Sequence, residues 1–116
     1  MNNIDVKDIA YKLCSEFIAI INLEDFEKLD QKFGISLVVW NEIKENVLRY
    51  YFQNTNFKLF ISYDFFEIFD YEDGDYGIEA HLNDQNGQWT ELTLRADLIR
   101  QAGDQYQLDY RLIEVM

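Results

Sequence analysis

The chain has 116 residues and a mass of 13.9 kDa, with 48% hydrophobic and 16% aromatic residues and a formal charge of −12. That length accommodates one domain and excludes a large multidomain enzyme. The charge excludes an ordinary basic nucleic-acid binder, and no apolar run approaches the roughly 20 residues of a membrane-spanning helix.

Helices are expected first. Ile9, Leu13, Phe17 and Ile20 recur every three or four residues, and Val6 and Ala10 extend that face backward. Asn3 or Asp5 can cap the start, and Asp8 falls in the first turn, where negative charge is favoured. A break is expected near Asn22, because asparagine competes for its own backbone. Leu23, Phe26, Leu29 and Phe33 form a second stripe, and Gly34 after it can take the left-handed cap. A third helix is expected from Leu37 to about Tyr51, capped by Ser36, with Trp40, Ile43, Val47 and Tyr50 or Tyr51 on one side. The β-branched run 35–40 also suits a strand. The polar segment 53–56 reads as a loop.

The second half changes period. Segment 57–63 reads as a strand, and 65–71 as a second strand or a short helix. Ile78, Ala80 and Leu82 alternate with Glu79, His81 and Asn83, and Asp84-Gln85-Asn86-Gly87 supplies a turn. Leu92, Leu94, Ala96 and Leu98 then alternate with Glu91, Thr93, Arg95 and Asp97. After a turn at Ala102-Gly103-Asp104, Tyr106, Leu108, Tyr110 and Leu112 alternate with polar residues. The phase slips at Leu112-Ile113, which a bulge or burial on both faces would explain. Helices followed by hairpin-linked strands imply an α+β fold, with N-terminal helices packed on one face of a C-terminal antiparallel meander sheet, as a single domain over 1–116.

Cys14 is the one cysteine, so no intrachain disulfide can form, and its apolar setting suits a buried small hydrophobe. The first twelve residues lack the pattern of a secretory leader, so the expected location is cytoplasmic. With no proline, the turns rely on Gly, Asn and Asp.

The charge is regional. Residues 1–34, 35–62 and 63–116 carry −3, +1 and −10, which together give the −12 of the chain. Between positions 64 and 84 stand Asp64, Glu67, Asp70, Glu72, Asp73, Asp75, Glu79 and Asp84, with no Lys or Arg. Such a run either keeps a small protein dissolved or steers a basic partner toward it. Tyr63, Phe65, Phe66, Phe69, Tyr71 and Tyr76 interleave with those carboxylates, and aromatic anchors ringed by charge are the anatomy of a protein interface. Tyr71 and Tyr76, flanking the acidic turn, are placed for a surface, although each ring could equally pin a hairpin end.

Dedicated chemistry is harder to find. An EF-hand loop starting at Asp70 would need glycine at its sixth position and glutamate at its twelfth, but Gly74 falls at the fifth, and Ala80 and His81 fill the eleventh and twelfth, with no glutamate at the end. One cysteine and one histidine make no zinc cluster, and the phosphate-binding, dinucleotide and serine-hydrolase motifs are absent. His81, next to Glu79 on a polar strand face, is the one conventional base near neutral pH. No catalytic residue, metal or cofactor is assigned.

A small, acidic, single-domain chain with this α+β pattern resembles the bacterial immunity proteins that neutralise partner toxins, most closely those of contact-dependent inhibition. The resemblance lies in size, acidity and element pattern, and transfers no individual residue. It implies a non-enzymatic protein that binds a basic toxin domain of nuclease type and covers its active site, without touching nucleic acid or membrane. The contact surface is then expected at Asp70, Tyr71, Glu72, Asp73, Asp75, Tyr76, Glu79 and Asp84. Two other readings stand beside it: a structural or regulatory subunit with an acidic solubilising face, and a cone-shaped ligand-binding domain or enzyme with His81 in a cavity.

Overall fold

A computed structural model of the chain describes residues 5–51, 58–103 and 105–115. The expected cap at Asn3, the loop 53–56, the strand start at Phe57 and the turn residue Asp104 lie outside them, as do the side chains of Tyr50, Tyr51 and Val115. Three helices, α1 (Val6–Asn22), α2 (Phe26–Phe33) and α3 (Leu37–Tyr51), precede four strands, β1 (Phe60–Asp70), β2 (Tyr76–Asn83), β3 (Trp89–Arg100) and β4 (Tyr106–Val115). The strands form one antiparallel sheet in the order β1-β2-β3-β4, with the helices against one face. This is the expected α+β meander. No described helix is long and apolar enough to cross a membrane.

The helix ends follow their capping chemistry. Asp5 accepts the Lys7 amide at 3.0 Å, Asp25 the Lys28 amide at 3.1 Å, and the Ser36 hydroxyl oxygen the Val39 amide at 3.2 Å. Gly34 closes α2 at φ 65°, a backbone region costly to any residue with a Cβ. Helix α3 begins at Leu37, which resolves the ambiguous run 35–40: only Ile35 and Ser36 stay outside the helix.

Two helical stripes shift from their expected positions. The face of α1 against the sheet centres on Ala10, Cys14, Phe17, Ile18 and Ile21, while Ile9 and Leu13 lie on its flank. The small Ala10 and Cys14 let the helix axis approach the strands, where bulkier residues would hold it away. Leu23 is exposed, because it serves as the C-cap of α1 and does not join α2. The chain does break after Asn22, but that amide serves a distant strand instead of its own backbone. Its Nδ2 donates to the Leu59 carbonyl at 2.7 Å, and its Oδ1 accepts the Leu59 amide at 2.9 Å.

The core is one cluster running from Ala10 and Phe17 of α1 through Leu29, Trp40 and Ile43 to Ile78, Leu82, Leu94, Leu98 and Ile113 of the sheet. Segments 57–63 and 65–71 do not form two elements: β1 is a single strand interrupted by an irregularity. Ile61 pairs with Leu82 and Phe66 with Ala80, so Ser62, Tyr63, Asp64 and Phe65 stand opposite His81 alone. A bulge also accounts for the phase slip in β4. Arg95 pairs with Leu112 and Ala96 with Tyr110, leaving Arg111 as the extra residue.

Cys14 is fully buried, and burial pushes its thiol up to about 12 from its ordinary 9.0. The unfolded chain therefore releases this proton at a lower pH than the folded chain. The resulting stabilisation is complete below about pH 9 and disappears as pH rises toward 12, at up to about 1.4 kcal/mol per pH unit. The native protein is expected to resist thiol reagents in mild alkali until denatured. Cys14→Ala should flatten the alkaline loss of stability measured by urea unfolding. A loss of unchanged slope would assign it instead to the phenols raised to about 12, Tyr110 by burial and Tyr63 chiefly by its hydrogen bond to Asp8.

Candidate functional site

The carboxylates between β1 and β2 build the turn they occupy. Asp70 accepts the Glu72 amide at 2.8 Å and Asp73 the Asp75 amide at 3.0 Å. Asp75 accepts the Arg100 amide at 2.9 Å, tying this turn to the end of β3. These side-chain-to-backbone bonds are the usual reason for aspartate in turns. Glu72 adopts φ 67° and leaves its side chain exposed.

Tyr71 folds back over the sheet. A Cβ on Gly77 would stand 2.4 Å from the Tyr71 hydroxyl oxygen, so the absence of a side chain at position 77 makes room for the phenol. That hydroxyl donates to Asp97 Oδ1 at 3.0 Å, and the bond to the carboxylate raises its pKa. Arg111 donates to Asp97 Oδ2 through Nε and Nη2, both at 2.6 Å. Asp97 points away from the helices as its strand parity requires, yet it is buried by these two partners. Tyr76 is half-buried against the core and 6.2 Å from Tyr106, with its phenol pKa raised by burial. Of the two expected anchors, Tyr71 exposes its ring while committing its hydroxyl, and Tyr76 belongs to the core edge.

Glu79 lies in the middle of the same open face, where Arg95 donates to it at 3.0 Å and also to Glu114. Asp84 shapes the β2–β3 turn, accepting the Asn86 and Gln88 amides at 2.8 and 3.0 Å. From Tyr76 the strand runs seven more residues to Asn83 before that turn, about 23 Å at the usual rise. The eight expected contact residues thus fall into an acidic turn at one end, one glutamate in mid-sheet and one aspartate at the far end.

A second cluster lies near Asp84. Cross-strand pairing places Phe60, Asn83 and Trp89 in one row, all on the face away from the helices. Phe60 is 50% exposed, Trp89 54% and Phe65 41%. Phe65 meets Trp89 in a T-shaped contact at 4.3 Å, and the His81 ring lies 4.1 Å from the indole. His81 Nε2 donates to the Thr90 carbonyl at 2.7 Å, so that nitrogen carries the hydrogen. Asn83 is only 8% exposed, and its Oδ1 has no hydrogen-bond partner among the described residues. Sequence reasoning missed this cluster. The available signal was Trp89, which shares strand parity with Glu91, Thr93 and Arg95.

His81 is therefore held on a sheet face by an indole and a carbonyl. An open groove of about 470 Å³ lies elsewhere, lined by Ile9, Lys12, Leu13, Glu16, Gln105 and Tyr106. Among the described residues no group of three or more His, Cys, Asp or Glu could hold a metal ion. Comparison with protein-family models, curated proteins and solved structures returns no match.

Proposed function

We propose that this chain is a binding protein for a basic protein partner, and that it neutralises a toxin domain of nuclease type by covering the active site. One observation carries the reading. Asp64, Glu67, Asp70, Glu72 and Asp73 are all exposed, in a segment 64–84 that contains no Lys or Arg. Repulsion among them costs stability, and a basic partner offsets that cost on binding. The same field draws the partner in, while aromatic rings on the open sheet face supply contacts that hold it.

Co-expression with the product of the adjacent gene tests the idea. A complex surviving gel filtration and relief of that product's toxicity are expected. Failure of both overturns the reading. Within such a complex, Asp70→Asn, Asp73→Asn and Glu72→Gln together remove charge while the asparagines keep a turn-building acceptor. Association should slow several-fold at low salt, with the difference closing as salt screens beyond about 10 Å. Equal association rates at low salt, with both proteins folded, would remove the turn from the steering surface.

A further inference from the structure

We infer that the sheet face at the β2–β3 turn is an arginine slot, in which a guanidinium from a basic protein partner stacks between Phe60 and Trp89 and donates to Asn83 Oδ1. The inference rests on the proposed function and specifies its anchoring contact. The geometry begins with the row Phe60, Asn83, Trp89 on neighbouring strands. The backbones of the outer two strands lie about 10 Å apart on either side of Asn83, and the Trp89 indole leans across β2 to meet Phe65. Both rings are about half exposed, and between them sits an amide oxygen that is buried and unpartnered among the described residues. A buried acceptor without a donor calls for a ligand that brings one.

The indole is pre-positioned. Phe65 and His81 hold it from within 4.3 Å, and the Thr90 carbonyl fixes His81 in turn. Ordering cost on binding is correspondingly small. The surrounding charge selects a cation: Asp64 adjoins Phe65, Asp84 adjoins Asn83, and Glu91 lies two residues beyond Trp89. Lys58, the nearest basic residue in sequence to Phe60, donates its ammonium to the Asn22 carbonyl at 3.0 Å. Arginine fits better than lysine, because a guanidinium is planar, stacks on aromatic faces and presents several donors in its own plane. A second copy of this chain fits poorly, since each copy carries −12.

The test titrates the full chain with an all-arginine peptide and an all-lysine peptide of equal length and charge. Calorimetry gives affinity, and tryptophan fluorescence reports Trp89, because Trp40 is buried in the core. The arginine peptide is expected to bind about tenfold more tightly. Trp89→Ala and Phe60→Ala should each abolish that preference while melting like the parent, as both side chains are largely outside the core. Equal binding of the two peptides, or a preference that survives both variants, overturns the slot while leaving the acidic-surface reading intact. Binding of neither peptide at low salt overturns the slot and counts against the wider reading as well.

Discussion

Replacing Phe17 with alanine is expected to cost about 3–5 kcal/mol, the penalty typical of removing a fully buried aromatic ring. The ring meets Phe33 in a T-shaped contact at 5.2 Å and stacks on Tyr110 at 5.3 Å. One side chain thus joins α1, α2 and β4, and deleting it opens space that three elements would have to move to fill. A domain of this size has only about 5–15 kcal/mol in total, so the variant should approach the folding threshold. Calorimetry should show melting lowered on the order of 15 °C. Phe17→Leu, which restores most of the volume, should recover much of the loss. As a control, Phe69→Ala removes a ring that is nearly half exposed and should change stability by about 0.5 kcal/mol or less. Similar melting of the two alanine variants would refute the central role given to Phe17.

Asn22→Ala should be the next most damaging change, at about 2–4 kcal/mol, because it strands two backbone groups. Leu59 is buried, and its amide and carbonyl both bond to the Asn22 side chain. Without that clamp the entry to β1 loses its tie to the end of α1. Asn22→Asp keeps an acceptor for the Leu59 amide and loses the donor to its carbonyl, so it should recover only part of the stability. Hydrogen exchange separates the two. The Leu59 amide should lose protection in the alanine variant and retain it in the aspartate variant. Protection unchanged in both would mean that the strand entry is held by packing alone.

Asn22 also marks the boundary between what local pattern reveals and what it hides. That the helix stops there was legible from asparagine's habit of competing with the helix backbone. The partner of its amide lies 37 residues away, beyond any local signal. The meander itself was readable because alternation in β2, β3 and β4 is governed by neighbours two residues apart. Segment 62–65 was opaque for the opposite reason. Its residues sit opposite His81 alone, so no two-residue period runs through it, and one long strand read as two elements. The acidic turn was visible as composition, but the use of its carboxylates by nearby amides emerged only from backbone geometry. Trp89 and Phe60 were the hardest to see, because they come to flank Asn83 only across three strands and beyond a register shift between His81 and Asn83.

Two of the three register irregularities in the sheet, those carried by its border strands, also govern how this chain behaves in a crowd of its own copies. An open sheet ends in two strands whose outer amides and carbonyls can template another chain, and proteins guard such borders against growth. In this protein β1 and β4 are the border strands, and each is the strand that breaks register, at 62–65 and at Arg111. A bulge twists and bends the strand that carries it, so neither border offers a long flat ladder for an incoming strand. Arg111 places a cation on one border, and Asp64 an anion on the other. The irregularities that break the pattern of the sequence therefore double as protection against fibrillar self-association.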